Sequence, residues 1–128
     1  MGYTLEVRSD APIMWIIWEA DFDLKEDIPS LAQEQLNVLD SAQEPLVVVY
    51  DTRQASQSWD DIMFLSSKAG SQENRSHPNM LARILITNDE VQAAVSQNLD
   101  NETFGNRKIY PVSSPEAALA FARKLLNL

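Results

Sequence analysis

The chain has 128 residues, 45% of them hydrophobic, a size and apolar content that suit a single domain over residues 1–128 with one core. Nineteen acidic residues against ten basic ones leave a formal net charge of −9, which opposes binding to nucleic acid and to anionic membrane surfaces. Cysteine is absent, so disulfides, thiolate nucleophiles and cysteine-bound metals are excluded, and a reducing, cytoplasmic setting is the expectation.

Residues 3–8, "YTLEVR", alternate in polarity as a half-exposed strand does. Asp10 and Pro12 suit a reversal, and "IMWIIW" at 13–18 begins a second strand, over 13–19, that is apolar on both parities, with Trp15 on one face and Trp18 on the other. That run falls well short of the ~20 residues a membrane span needs. No basic segment precedes it and no small-residue cleavage site follows, so neither a span nor a signal peptide is expected. A hairpin joins the two strands most simply.

Glu19, Asp21, Asp23, Glu26 and Asp27 then crowd into nine residues relieved by Lys25. The segment is expected to be a solvated rim, with a basic partner or a divalent cation as the alternative. An EF-hand loop is rejected: Lys25 stands at its third ligand position, Glu26 where its glycine belongs and Ala32 where its bidentate glutamate belongs.

Ile28, Leu31, Ala32, Leu36 and Leu39 recur at helical spacing, predicting a helix from Asp27 to about Ser41 with Pro29 in its first turn. "LVVVY" at 46–50 begins a buried strand that ends at Asp51. A second helix is predicted from Trp59 to about Ala69, followed by Gly70 as a cap and a loop over 71–79. "LARILIT" at 81–87 is a further buried strand, and Thr87 with Glu90 has capping-box spacing for a short helix from Asp89 to about Asn98. "KIYPV" at 108–112 is a last strand whose Pro111 favours a sheet edge. Ser114 caps a final helix with Pro115 at its first position and Lys124 near its end.

The order β-β-α-β-α-β-α-β-α predicts an α/β fold: a mostly parallel five-stranded sheet with an antiparallel edge strand and helices packed on it.

Motifs for catalysis are scarce. Three glycines (Gly2, Gly70, Gly105) allow neither a phosphate-binding loop nor a dinucleotide turn, and G-x-S-x-G does not occur. The single histidine, His77, has no second histidine or cysteine to complete a metal site. No catalytic residue, cofactor or metal is therefore expected, and an enzyme built on carboxylates alone is the third-ranked reading. A phospho-receiver shares the strand-end acids but carries one more strand–helix unit before its acceptor aspartate, and its lysine ends the last strand, whereas Lys108 opens it.

"LVVVYD" before a polar loop, "ARILITNDE" leading into a short helix and "KIYPVSSPEAALAFARKLL" at the end resemble, in element order over nearly the whole chain, the STAS superfamily of anti-sigma-factor-antagonist-like domains, especially its SpoIIAA-like stand-alone bacterial members. The resemblance implies a non-catalytic regulatory module acting through protein–protein contacts, and in some members one that binds a small or lipid-like ligand. Phospho-regulated members carry a strand-ending aspartate and, about nine residues on, an Asp-Ser pair with a glycine at a helix start. Asp51 matches the first position, but "SQSWDD" lacks the later motif, and Asp60 and Asp61 would repel a phosphoryl group there. Ser58 suits a helix cap better than a phosphosite.

The surface expected to meet a protein partner comprises Asp51, Thr52, Arg53, Ser56 and Ser58, with Arg53 expected to pair with Asp51. The runner-up is an apolar small-molecule pocket lined by Trp15, Trp18 and Trp59, residues that in a chain of this size more often anchor a core. A homodimer is left open.

Overall fold

The computed structural model describes residues 2–55, 78–90 and 109–128. In chain order they form β1 (Tyr3–Val7), β2 (Ile13–Trp18), α1 (Leu24–Ser41), β3 (Leu46–Asp51), β4 (Met80–Ile86), β5 (Ile109–Val112) and α2 (Pro115–Leu125). All five strands lie in one sheet in the order β1-β2-β3-β4-β5. β1 pairs antiparallel with β2, and every later pair is parallel. The antiparallel edge and the edge position of Pro111 are thus as the sequence predicts. The helices expected over 59–69 and 89–98 lie outside the described residues, apart from the first two residues of the latter.

Strand periodicity sorts the core into two layers. Met14, Ile16, Trp18, Val48, Tyr50 and Leu85 face α1, where they meet Phe22, Ile28, Leu31 and Leu39. Ile13, Val47, Val49, Ile84 and Ile86 face α2 and meet Ala118 and Ala122. The two alanines let α2 approach the sheet closely, while Leu119, Phe121 and Leu125 pack around them. Each fully buried aliphatic side chain contributes about 1.5–3 kcal/mol relative to exposure, so these layers outweigh any single polar contact in the molecule.

α1 begins three residues earlier than the apolar periodicity predicts. The Asp23 carboxylate accepts the N–H groups of Lys25 (3.0 Å) and Glu26 (3.2 Å), and Asp27 Oδ2 accepts the N–H of Asp23 (2.9 Å), a reciprocal cap. Pro29 consequently lies inside the helix, at its sixth residue, rather than in its first turn. The cap fixes the start, and the helix gives up one backbone bond at the proline. Two of the five crowded acids are therefore structural. Gly2 packs against the same loop: a Cβ there would stand 2.5 Å from Phe22 Cα and 2.7 Å from Phe22 N, and no flexible side-chain end is available to move aside.

The C-terminal end of α1 has no basic residue in its last turn. It is closed instead from the sheet, because the Asn79 amide donates to Leu39 O (2.8 Å) and Ala42 O (3.3 Å). The Asn79 carbonyl accepts the N–H of Leu46 at 2.7 Å, so one residue ties α1 to the start of both β3 and β4. Asn79→Ala is expected to lower the unfolding free energy by about 1–2 kcal/mol, measured by urea denaturation. Gln33→Ala, which removes an exposed bond to Asn37 (3.0 Å), is expected to change it by less than ~0.5 kcal/mol.

Tyr3 is buried at the top of the α1 layer, its hydroxyl 3.1 Å from Ser30 Oγ. Burial raises its pKa above the ordinary value; the Ser30 hydroxyl works against the rise, and the Glu34 and Asp27 carboxylates add to it. A raised folded-state pKa contributes stability that is present below the unfolded value, about 10, and is lost as pH climbs through the folded one. Melting temperature is expected to fall more steeply above pH ~10 in the wild type than in Tyr3→Phe. Parallel curves for the two proteins would show that Tyr3 ionises as if unfolded.

Candidate functional site at the C-terminal edge of the sheet

Parallel register places the ends of β2 to β5 side by side: Ile17 pairs with Asp51, Asp51 with Ile86, and Ile86 with Val112. Open parallel sheets bind their ligands at this edge. Here it is laced by backbone and hydroxyl bonds. Ile86 O accepts both the Thr52 N–H (3.1 Å) and the Thr52 hydroxyl (3.0 Å), and Val112 O accepts the Thr87 N–H (3.0 Å). Thr87 Oγ1 accepts the N–H of Asp89 at 3.0 Å, turning the chain away after β4. Ser114 Oγ accepts the N–H of Ala117 at 3.1 Å, capping α2 with Pro115 in its first turn, as predicted.

Asp51 is 5% exposed and takes the Arg53 guanidinium in a fork, with Nε at 2.9 Å from Oδ1 and the terminal nitrogen at 2.8 Å from Oδ2. The Arg53 N–H also reaches Oδ1, at 3.2 Å, so the turn is an Asx turn closed by its own salt bridge. The hydrogen bond from Asp51 raises the Arg53 pKa above its usual value, burial works against the rise, and the charges of Asp51 and Glu116 reinforce it. Glu116, in the first turn of α2, thereby joins the site. The Arg53 side chain remains 37% exposed, so a guanidinium anchored on one side is open to solvent on the other.

With both oxygens held by Arg53, the Asp51 carboxylate is poorly placed to act as a nucleophile or phosphoryl acceptor. Among the described residues no group of three or more acids and histidines is placed to hold a metal ion. Among them, too, no helix is long and apolar enough to cross a membrane.

Asp51, Thr52 and Arg53 are brought together as the sequence suggests, while Ser56, Ser58 and Trp59 lie outside the described residues. Trp15 and Trp18 are not brought together. Trp15 packs in the α2 layer with Arg8 above its ring at 5.9 Å, and Trp18 lies in the α1 layer. Trp18 stacks on Phe22 (4.3 Å between centroids) and meets Tyr50 edge-on at 6.4 Å. One cavity cannot be lined by both tryptophans, because the sheet separates them.

Three residues of interest were not singled out from the sequence. Thr87 was assigned only to a cap, and the charge of Glu116 acts on Arg53 through the fold, which sequence spacing does not encode. Arg83 is 2% exposed in the middle of β4, beside Val48 and Ile109, and it is not without an interaction partner. A lone arginine inside "LARILIT" was the available signal, since a buried cation must be compensated.

A double-mutant cycle of Asp51→Asn and Arg53→Ala, read by urea denaturation, is expected to give a coupling of about 1 kcal/mol. That is the upper end for partly exposed pairs, because the fork is bidentate while Arg53 is open to screening. Coupling near zero would make the pair an incidental surface contact.

No family model matches the sequence, and no curated protein matches it. Among solved structures, the chain is similar to an uncharacterised protein from the DUF3478 family with a SpoIIAA-like fold, from Shewanella loihica PV-4. The two share 16% sequence identity with a TM-score of 0.53, over 94% of this chain and 91% of the other. At that identity the likeness speaks to architecture alone: the chain has a SpoIIAA-like α/β fold.

Proposed function

We propose that the chain is a non-catalytic, cytoplasmic regulatory domain that binds a protein partner through the C-terminal edge of its sheet. Arg53 is the exposed part of that surface among the described residues, Asp51 and Thr52 lie buried behind it, and Ser56 and Ser58 are included in the proposal. The observation that carries this reading is the Asp51–Arg53 fork. It consumes the carboxylate that a reactive site would need, yet holds an arginine at a fixed place with one side open. A preorganised arginine loses little side-chain entropy on binding and forms bidentate contacts to a carboxylate, which makes it an effective interface anchor. Glu116 beside it offers an acceptor for a donor on the same partner.

An affinity pull-down from the native host, with wild-type chain and Arg53→Glu compared at equal loading, tests this reading. A partner retained by wild type and reduced at least ~10-fold by Arg53→Glu, with melting temperature changed by only a few degrees, is the expected outcome. Equal retention by both proteins would place the contact elsewhere. Ser58→Asp is expected to weaken the same partner if added charge regulates the surface, and Ser58→Ala to leave it bound; identical behaviour of the two variants would remove phosphorylation from the reading.

A further inference from the structure

The outer side of β1 has a distinct chemistry. Arg8 N–H donates to Ile13 O at 2.9 Å and Glu19 N–H to Gly2 O at 2.8 Å, which fixes the even-numbered residues as the hydrogen-bonded pairs of the β1–β2 ladder. The N–H and C=O groups of Tyr3, Leu5 and Val7 therefore point away from β2. Among the described residues β1 has a strand neighbour on one side only. The outward row is long enough to template another strand.

The same three residues turn their side chains toward α1. α1 runs down the sheet from the β2 end, and its flank beside β1 presents Asp27, Ser30 and Glu34 near Tyr3, then Asn37, Val38 and Ser41 near Val7. At the lower end β1 and α1 enclose an open groove of about 720 Å³, lined by Val7, Arg8, Asn37, Val38, Ser41 and Leu46 among others. Val7 is 49% exposed there. The Arg8 charge is already taken by Asp10, at 3.1 Å. The upper half of the flank carries the carboxylates Asp27 and Glu34; the lower half is mixed, with Val38 set between Asn37 and Ser41 and facing Val7 and Leu46 across the groove. Glu34 and Val38 are one helical turn apart, about 6 Å, which matches the roughly 6.8 Å between alternate side chains of a strand.

We propose that the outer edge of β1 receives an added β-strand, antiparallel to β1, from an extended segment of a partner protein with the pattern apolar-x-basic-x-basic. Its apolar side chain enters the groove at Val7 and Val38, and its basic side chains lie against Glu34 and Asp27. Main-chain bonds to Tyr3, Leu5 and Val7 supply affinity, and the acidic flank supplies selectivity. Charge selects this occupant over a second copy of the chain. Two-fold pairing of β1 about Leu5 would bring together two molecules of net charge −9, whereas a basic segment neutralises the carboxylates that it meets. This surface is distinct from the Asp51–Arg53 edge and does not depend on it.

Residue-resolved amide exchange on the full chain tests the proposal, with the capped peptide Ser-Val-Thr-Lys-Thr-Lys-Ser as probe. Saturating peptide is expected to slow the amides of Tyr3, Leu5 and Val7 at least ~10-fold while leaving Thr4 and Glu6, already bonded to β2, unchanged. Leu5→Pro removes an outward N–H that β2 does not use, so it is expected to keep the fold and abolish the effect. Glu34→Lys is expected to weaken binding several-fold, and Arg53→Ala to leave it intact. No slowing at ~1 mM peptide overturns the proposal, as does protection mapped elsewhere or equal binding of the peptide with both lysines replaced by glutamate. Slow exchange of the same three amides before peptide is added, relieved by dilution, would assign the edge to a second copy instead.

Discussion

The constraint on which the rest of the structure depends is the burial of β3 on both faces. All six residues from Leu46 to Asp51 are buried, and alternate ones serve opposite layers. A central strand of this kind forces a helix onto each side of the sheet, because neither apolar face can be left to water. It also forces a decision at its last residue. Asp51 continues the buried run as a carboxylate, and a charge at that depth needs compensation. Arg53, two residues on, provides it within the turn itself. The turn geometry, the ion pair and the aim of the guanidinium follow from ending a doubly buried strand in aspartate.

Much of this was legible in the sequence because the relevant signals are local. Apolar runs of strand length, Pro111 at an edge and the Ser114-Pro115 start of α2 each state their structure within a few residues. Trp15 and Trp18 could be assigned to opposite faces by parity alone. The start of α1 was misplaced because apolar periodicity registers only residues that enter the core. Asp23 and Asp27 set the boundary through backbone bonds, which hydrophobicity does not report, and they overrule the usual place of a helical proline. Glu116 and Asn79 were illegible for a different reason. Each acts on an element distant in sequence, Glu116 by its charge on Arg53 and Asn79 by hydrogen bonds on the end of α1, so only the assembled sheet reveals it.

The polar residues divide into those that close the fold and those that face outward. Thr52, Thr87, Asn79 and Asp23 all satisfy backbone groups at element ends, at the places where helices and strands leave donors and acceptors unpaired. Their contribution is less to net stability, which the two apolar layers dominate, than to the registry of the ends. Thr52 and Thr87 each reach the next strand of the parallel set, so the C-terminal edge is held as a unit. An arginine seated on such an edge is held in place by its fork to Asp51. That rigidity separates an interface anchor from a mobile surface charge.

The two borders of the sheet show opposite solutions to one hazard. β5 is short and carries Pro111, which has no N–H to offer, so that border is a poor template for further pairing. β1 has no proline, and its charged Glu6 lies among the even residues, which bond inward to β2. The odd residues, whose backbone faces outward, are Tyr3, Leu5 and Val7, none of them charged. A border that no described strand covers, in a chain of net charge −9, is shielded against its own kind by long-range repulsion rather than by blocked hydrogen bonds. Such shielding is selective, since it deters acidic copies and admits a basic strand. The acidity that argued against nucleic acid at the outset thus acts as the filter on this border.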